Sequence, residues 1–335
     1  MGQVEHHVDG TCDVCGLVPL APRLRHATRI VARSAPMREL MRRVARFAAS
    51  DAAVVITGET GSGKEIVARA LHANSARAAG PFIAVNVAAI PADLLESELF
   101  GHGKGAFTGA ASAREGLFQA AAGGTLFLDE IGEMPAELQA KLLRAVQDGE
   151  VRRVGENFAS AVDVRILCAT HRDLQQRVAT GQFREDLFYR LAVLGLHVPP
   201  LRERREDILP LAHQLLVESR AGAKAFTAAA EHALLAYRWP GNVRELENAV
   251  RHGAALADGA RIDARDLPEH VGSSSTPRVA PQVAPRPGGA LRSLADVERE
   301  HVLGVLDACG GSPGDAARVL GIGRNTLWRK LRTYR

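Results

Sequence analysis

The stretch Gly58-Glu-Thr-Gly-Ser-Gly-Lys64 constrains the chain more than any other, because it sits between an apolar run, Ala53 to Thr57, and a helical pattern, Ile66 to Leu71. A strand, a glycine-rich turn and a helix in that order make a loop whose successive N–H groups point at bound phosphates. The helix N-terminus adds partial positive charge, and Lys64 is placed to reach the β- and γ-phosphates of a nucleoside triphosphate. Gly58, Glu59, Thr60, Gly61, Ser62, Gly63 and Lys64 are therefore candidate nucleotide ligands. Position 65 is Glu65 where a Mg²⁺-ligating Ser or Thr is usual, a departure from the generic motif. The competing reading is a flexible glycine-rich turn.

Short apolar runs alternate with helical stretches from Ile30 to about Pro200. Ala53–Thr57, Phe82–Asn86, Thr125–Asp129 and Val164–Thr170 read as buried strands. Pro135 to Asp148 reads as a helix with Pro in its first turn and Leu138, Leu142 and Val146 on one face. The alternation predicts a parallel sheet covered on both sides. One strand ends in Asp129 and Glu130, the first placed to hold Mg²⁺ and the second to orient and deprotonate an attacking water. Alone, such a pair also fits a solvated turn. Thr170 ends the next strand, either sensing the γ-phosphate or serving as an ordinary β-branched strand residue. Between the motifs, glycines 101, 103, 105 and 109 argue against a stable helix, and Phe107 stands among them. An aromatic at a loop tip suggests contact with another macromolecule; the alternative is a Phe folded back into the core.

With 335 residues the chain exceeds a single small module, and 46% hydrophobic with 24% charged residues excludes wholesale disorder. No apolar run approaches the roughly 20 residues of a membrane helix, and the start lacks basic and apolar targeting regions, so a cytoplasmic protein without a membrane partner is expected. Four cysteines cannot frame a chain of this length with disulfides. From Leu201 to Val271 the pattern is helical only; Asn242 is placed to cap a helix, with Glu245 reaching back and Val243, Leu246 and Val250 inward. A stretch rich in Pro, Gly and Ser follows and reads as a tether.

The last block, Leu291 to Arg335, is helical again. Ser312-Pro-Gly-Asp315 starts a helix with a capping hydroxyl, Pro at the first position and an acid at the third. Gly321-Ile-Gly323 makes a turn, and Arg324 to Arg332 a second helix with Leu327 and Leu331 inward beside Ile322. Pro313 to Arg335 carries +5, more than the +4 of the whole chain. A short helix, a turn and a basic helix describe a helix-turn-helix that reads double-stranded DNA in the major groove. Arg324 and Asn325 are candidates for base contacts, Arg329, Lys330 and Arg332 for phosphate, and Thr326 lies among them. The alternative is a basic solvated tail. The helix before it, Leu294 to Cys309, with Val297, His301, Val305 and Leu306 on one side, is suited to pairing two protomers on a palindrome.

Gly105, Ala106, Phe107, Thr108, Gly109 and Ala110 spell the signature loop of the bacterial enhancer-binding proteins, the sigma-54-dependent activators of the AAA+ class, and the chain resembles that family from Ile30 to Val271 and again at its end. The resemblance implies an AAA+ P-loop α/β ATPase with a parallel sheet, an all-helical lid and a separate all-α helix-turn-helix domain of Fis type. It places Glu at position 65 as normal for the family. It assigns the loop to sigma-54 RNA polymerase, Asn86 to holding Glu130 inactive, Arg184 and Arg190 to arginine fingers for a neighbouring subunit, and Arg244 to reading the nucleotide. Local pairing of Arg184 and Arg190 with Glu185 and Asp186 is the alternative for those two. A ring, a hexamer in the family, is implied, with ATP and Mg²⁺ as cofactors. Gly103 replaces a Glu and Ala32 a Gly usual in the family, and Gly103 is expected to loosen the base of the loop.

The expected domains are a leader over 1–25, the ATPase subdomain over 26–200, the lid over 201–271, a linker over 272–290 and the DNA-binding domain over 291–335. His6, His7, Cys12 and Cys15 in the leader suggest half a zinc site, but no tightly bound metal is expected. Some 25 residues cannot hold a receiver domain, since domains begin at about 50 residues; control would come from a partner protein, from expression level or from a missing segment. The expected function is ATP-driven promoter opening from enhancer DNA. The rival readings are a DNA-binding regulator that keeps its nucleotide domain without remodelling sigma-54, and a general AAA+ remodelling ATPase.

Overall fold

A computed structural model describes residues 30–106, 112–219, 224–272 and 294–333 of the chain. The leader with its His and Cys residues, the loop residues Phe107, Thr108, Gly109 and Ala110, and the stretch 273–290 lie outside the described residues. The chain divides into two compact units, Met1–Ser274 and Ser275–Arg335.

The first unit opens with α1 (Ala35–Ala48), β1 (Val54–Thr57), α2 (Lys64–Ala73), β2 (Phe82–Asn86), α3 (Ala92–Phe100), β3 (Gly101–His102), β4 (Arg114–Glu115) and α4 (Leu117–Ala120). It continues with β5 (Thr125–Asp129), α5 (Ala136–Asp148), β6 (Glu150–Arg152), β7 (Ala159–Ala161), β8 (Arg165–Thr170), α6 (Leu174–Ala179), α7 (Glu185–Leu191) and β9 (Leu194–His197). Five strands form one sheet in the order β2-β5-β8-β1-β9, every neighbouring pair parallel. Side chains alternate across it. Val55, Leu126, Leu128, Ile166 and Cys168 join the core under α3 and α5, whereas Val54, Ile56, Phe127, Leu167 and Ala169 join the one under α1 and α2. Each such fully buried Val, Leu, Ile or Phe side chain contributes about 1.5–3 kcal/mol.

The four predicted strands appear, with one qualification: β2 is an edge strand, so Ala84 and Asn86 are exposed rather than buried. Central β8 is buried along its whole length. Its first residue, Arg165, is only 1% exposed and donates to the carbonyls of Phe47 (2.8 Å) and Ala48 (3.4 Å), closing the C-terminus of α1. Pro135 precedes α5 as its N-cap instead of sitting inside the first turn.

The lid holds α8 (Ile208–Glu218), β10 (Ala225–Phe226), α9 (Ala228–Ala236), α10 (Asn242–Leu256), β11 (Arg261–Ile262) and α11 (Glu269–Gly272). One correction concerns its expected purely helical make-up: β10 and β11 pair as a short parallel ladder, which seats Phe226 and Ile262 in the lid core. Trp239 is the largest fully buried side chain; its indole N–H donates to Leu234 O at 2.9 Å, and its ring meets Tyr237 edge-on at 5.0 Å.

Lid and sheet domain meet at Asp207. Its buried carboxylate accepts from the N–H of Arg33 (2.6 Å), the N–H of Ser34 (2.8 Å) and the hydroxyl of Ser34 (2.7 Å), while Ser34 caps α1. Arg204, three residues before it, donates to Ser62 O at 2.5 Å.

The second unit contains α12 (Leu294–Ala308), α13 (Pro313–Val319) and α14 (Arg324–Thr333) around Val302, Ala316, Ala317 and Leu327. On α12, Val302 is buried and Val305 and Leu306 pack partly buried against the same core, while His301 is exposed and does not share their side.

Replacing Asp207 with Ala strands three donors and should cost about 2–4 kcal/mol in equilibrium denaturation at neutral pH. A loss below about 1 kcal/mol would show that this junction does not hold the two parts together.

Candidate functional site

The parallel sheet brings its chemistry to the C-terminal ends of the strands, as such sheets do. Thr57 stands in register with Thr170, and Asn86 with Asp129. The loop after β1 turns through Gly61 and Gly63, both with positive φ, into the first turn of α2. A Cβ on Gly61 would stand 2.5 Å from Gly241 O, so the lid leaves room for glycine alone.

Lys64, the first residue of α2, is 7% exposed. Its ammonium donates to Gly58 O (2.9 Å) and Glu59 O (3.3 Å) and lies 3.7 Å from Glu130 Oε1. Ser62 is buried, and its hydroxyl has no hydrogen-bond partner among the described residues. Glu65 points elsewhere and pairs with Arg69 at 2.5 Å.

Asp129 ends β5, and Glu130 follows in the left-handed region at φ 54°. The Glu130 N–H donates to Asp129 Oδ1 at 3.0 Å. Burial raises the Asp129 carboxyl above its ordinary range, and the adjacent Glu130 charge raises it further, partly offset by Lys64. Crowded carboxylates beside a buried ammonium and an unpartnered hydroxyl suit a polyanion accompanied by a divalent cation. Glu130 Oε2 accepts from His171 twice, from Nδ1 at 2.7 Å and from the backbone N–H at 3.3 Å. Thr170 is fully buried, and its hydroxyl accepts from Arg172 N–H at 2.9 Å. The Asn86 carboxamide oxygen accepts from Ala88 N–H at 2.9 Å.

The lid grips the loop directly. Asn242 is buried and left-handed at φ 55°, and its amide donates to Thr60 O and Glu59 Oε2, both at 3.1 Å, while its oxygen accepts from Leu201 N–H at 2.8 Å. Glu59 in turn takes both prongs of Arg202, at 2.6 and 2.7 Å, which holds its carboxyl below the usual range. The Val243 N–H donates to Gly61 O at 2.9 Å, setting exposed Arg244 beside the loop. The predicted capping role is thereby corrected: Gly241 is the N-cap of α10, Glu245 reaches back to the Gly241 N–H at 2.8 Å, and Asn242 is released to bind the loop.

Of the two arginines expected as fingers, Arg184 is the N-cap of α7 and Arg190 lies in its last turn. Arg184 is exposed, and its guanidinium grips Asp186 at 2.8 and 3.1 Å; Arg190 reaches Gln147 O at 3.4 Å. Within one chain, then, Arg184 has the local partner that the alternative reading named. The loop base at Gly103 is paired on both sides. β3 and β4 pair as an antiparallel stem, Gly103 N–H donates to Val154 O at 3.0 Å, and Gly105 and Ala106 follow. The Glu156 side chain occupies the space that a Cβ at position 103 would need, 2.9 Å away.

On α14, Arg324, Asn325, Arg329 and Arg332 are exposed, and Thr326 is half-buried. Lys330 is half-buried, and its ammonium pairs with Glu298 of α12 at 2.6 Å, which braces the module. Ser312 donates to Asp315 at 2.9 Å in place of capping the backbone. Sequence reading missed Trp328, 62% exposed on the same helix face with Arg332 5.9 Å from its ring, and also His171, Arg202 and Arg204. The basic helix pattern around Trp328 was the available signal for the first; the other three had none.

Residues 30–197 match the Sigma-54 interaction domain, residues 202–283 the AAA+ ATPase lid domain, and residues 293–334 the bacterial regulatory protein Fis family. The chain is 51% identical over 308 residues to the transcriptional regulatory protein ZraR of Klebsiella oxytoca, covering 90% of this chain and 68% of that protein. It is 47% identical over 327 residues to the DNA-binding transcriptional regulator NtrC of Escherichia coli K12, covering 91% and 70%. The crystal structure of Brucella abortus NtrX in complex with ADP superposes with a TM-score of 0.68 at 35% identity, over 91% of this chain and 70% of that one. A parallel α/β domain, a lid seated on its phosphate loop and a helix-turn-helix module agree with these likenesses, and the chain belongs to the sigma-54-dependent transcriptional activators, which join an AAA+ ATPase to a Fis-type DNA-binding domain.

Proposed function

We propose that this activator binds ATP with Mg²⁺ in the loop Gly58 to Glu65, assembles into a ring, a hexamer as the family implies, and drives the loop around Phe107 against sigma-54 RNA polymerase. The observation that carries the reading is the convergence of buried Lys64 and half-buried Glu130, 3.7 Å apart, under a lid bonded to the loop backbone. Brucella abortus NtrX has been crystallised with both ADP and ATP, which supports a nucleotide in the matching loop here.

In this reading the loop N–H groups and Lys64 bind the phosphates, and Asp129 would hold the Mg²⁺, which supplies charge neutralisation on the phosphates. Glu130 takes the proton of the attacking water, Thr170 marks the γ-phosphate end, and Arg244 reports the nucleotide to the lid. Arg184 and Arg190 leave their local contacts to complete a neighbouring subunit's site, where a guanidinium stabilises the charge developing in transfer. Gly105 to Ala110 engage the polymerase. Arg324, Asn325, Thr326, Arg329, Lys330 and Arg332 engage enhancer DNA, Lys330 by leaving Glu298 for phosphate, with two protomers on a palindrome. The domains we propose are the ATPase over 26–200, the lid over 201–271, a linker over 272–290 and the DNA reader over 291–335. The protein acts in the cytoplasm, under a regulatory partner; no helix among the described residues is long and apolar enough to cross a membrane.

Asp129→Asn should lower ATP turnover by about 100-fold or more while raising Tm by roughly 1–3 °C. The sign follows from the raised carboxyl: the folded state disfavours the ionised form, so the penalty is fully present above the raised pKa, fades as pH falls through it, and is gone below the ordinary carboxylate range. The Tm gain should fade in the same acid window, and a variant less stable than the parent at neutral pH would contradict the assignment. Thr108→Ala should keep hydrolysis within about twofold and abolish open-complex formation at a sigma-54 promoter in vitro; normal activation by this variant would remove the loop from the mechanism. Deleting residues 291–335 should erase the enhancer footprint, and a footprint that survives would place DNA reading elsewhere.

A further inference from the structure

The His171 side chain hydrogen-bonds the proposed general base at 2.7 Å. Family resemblance gives the restraint of Glu130 to Asn86, yet the Asn86 carboxamide oxygen accepts from Ala88 N–H, and Glu130 Oε2 accepts both donors of His171, at 2.7 and 3.3 Å. The other carboxylate oxygen faces the Lys64 ammonium at 3.7 Å. An oxygen whose lone pairs are taken by two donors does not present them to an attacking water. Glu130 is only 14% exposed, so bulk water competes poorly for the oxygen that His171 occupies.

The two contacts differ in how they can be released. Lys64 is drawn to phosphate when a nucleotide enters, which frees Oε1. His171 has no such attraction. It is instead the residue directly after Thr170, the strand end beside the γ-phosphate position, and its own backbone N–H is one of the two donors. A small shift of this β8 end therefore moves both donors together.

We infer that His171 is a positioning residue that restrains Glu130 in the resting subunit, releasing it when the end of β8 responds to the nucleotide. The inference rests on Glu130 being the general base. His171→Ala should raise basal ATP turnover, without DNA or polymerase, by about 3–10-fold, the size of one hydrogen bond, with KM for ATP and Tm little changed. His171→Asn keeps a donor at the same reach and should retain the low parental rate. A turnover in His171→Ala that is unchanged or lower, at parental Tm, would overturn the inference, and so would an equal rise in His171→Asn. Glu130→Gln is run alongside: turnover persisting there would remove Glu130 as base, a failure distinct from that of the His171 restraint.

Discussion

The phosphate loop of this protein is tied along its backbone to the lid. Asn242 bonds the backbone at Thr60 and the side chain of Glu59, Val243 bonds Gly61, and Arg204 bonds Ser62 from beneath. Asp207, three residues after Arg204, fastens the same junction to the start of α1. The loop's conformation and the lid's position are thus coupled. A nucleotide that alters the curl of residues 58–64 must move the lid, and a lid displaced by a neighbour must reshape the loop.

Much of this fold is legible in the sequence because apolar period and punctuation agree. Strands β1, β5 and β8 declare themselves as continuous apolar runs, since both of their faces are buried, and each ends at a polar residue where the sheet meets the site. Edge position is less legible: Phe82 to Asn86 has the same apolar character, and its exposure depends on where the strand falls in the sheet order. Ladders of two residues, such as β10 with β11, are too short to leave any period at all.

Within the site, the loop, Asp129, Glu130 and Thr170 can be found by motif, because their chemistry fixes both residue type and place on a strand end. Asn242 stands out in the sequence, but its role does not. An Asn at a helix start suits a cap, and only the fold shows a left-handed Asn turned toward a loop some 180 residues earlier in the chain. His171, Arg202 and Arg204 are ordinary residues locally. Their partners, Glu130, Glu59 and Ser62, lie 41, 143 and 142 residues away, and such pairings have no signature in a single sequence.

The two tryptophans of the chain fall at opposite extremes. Trp239 is wholly buried in the lid and crosses Tyr237, whereas Trp328 stands in solvent on the face of the DNA-reading helix. Intrinsic fluorescence is therefore two signals, separable by emission wavelength. The blue component follows the lid core and its unfolding, and the red, quencher-accessible component follows the DNA end, so an unlabelled sample reports on both ends of the activator at once.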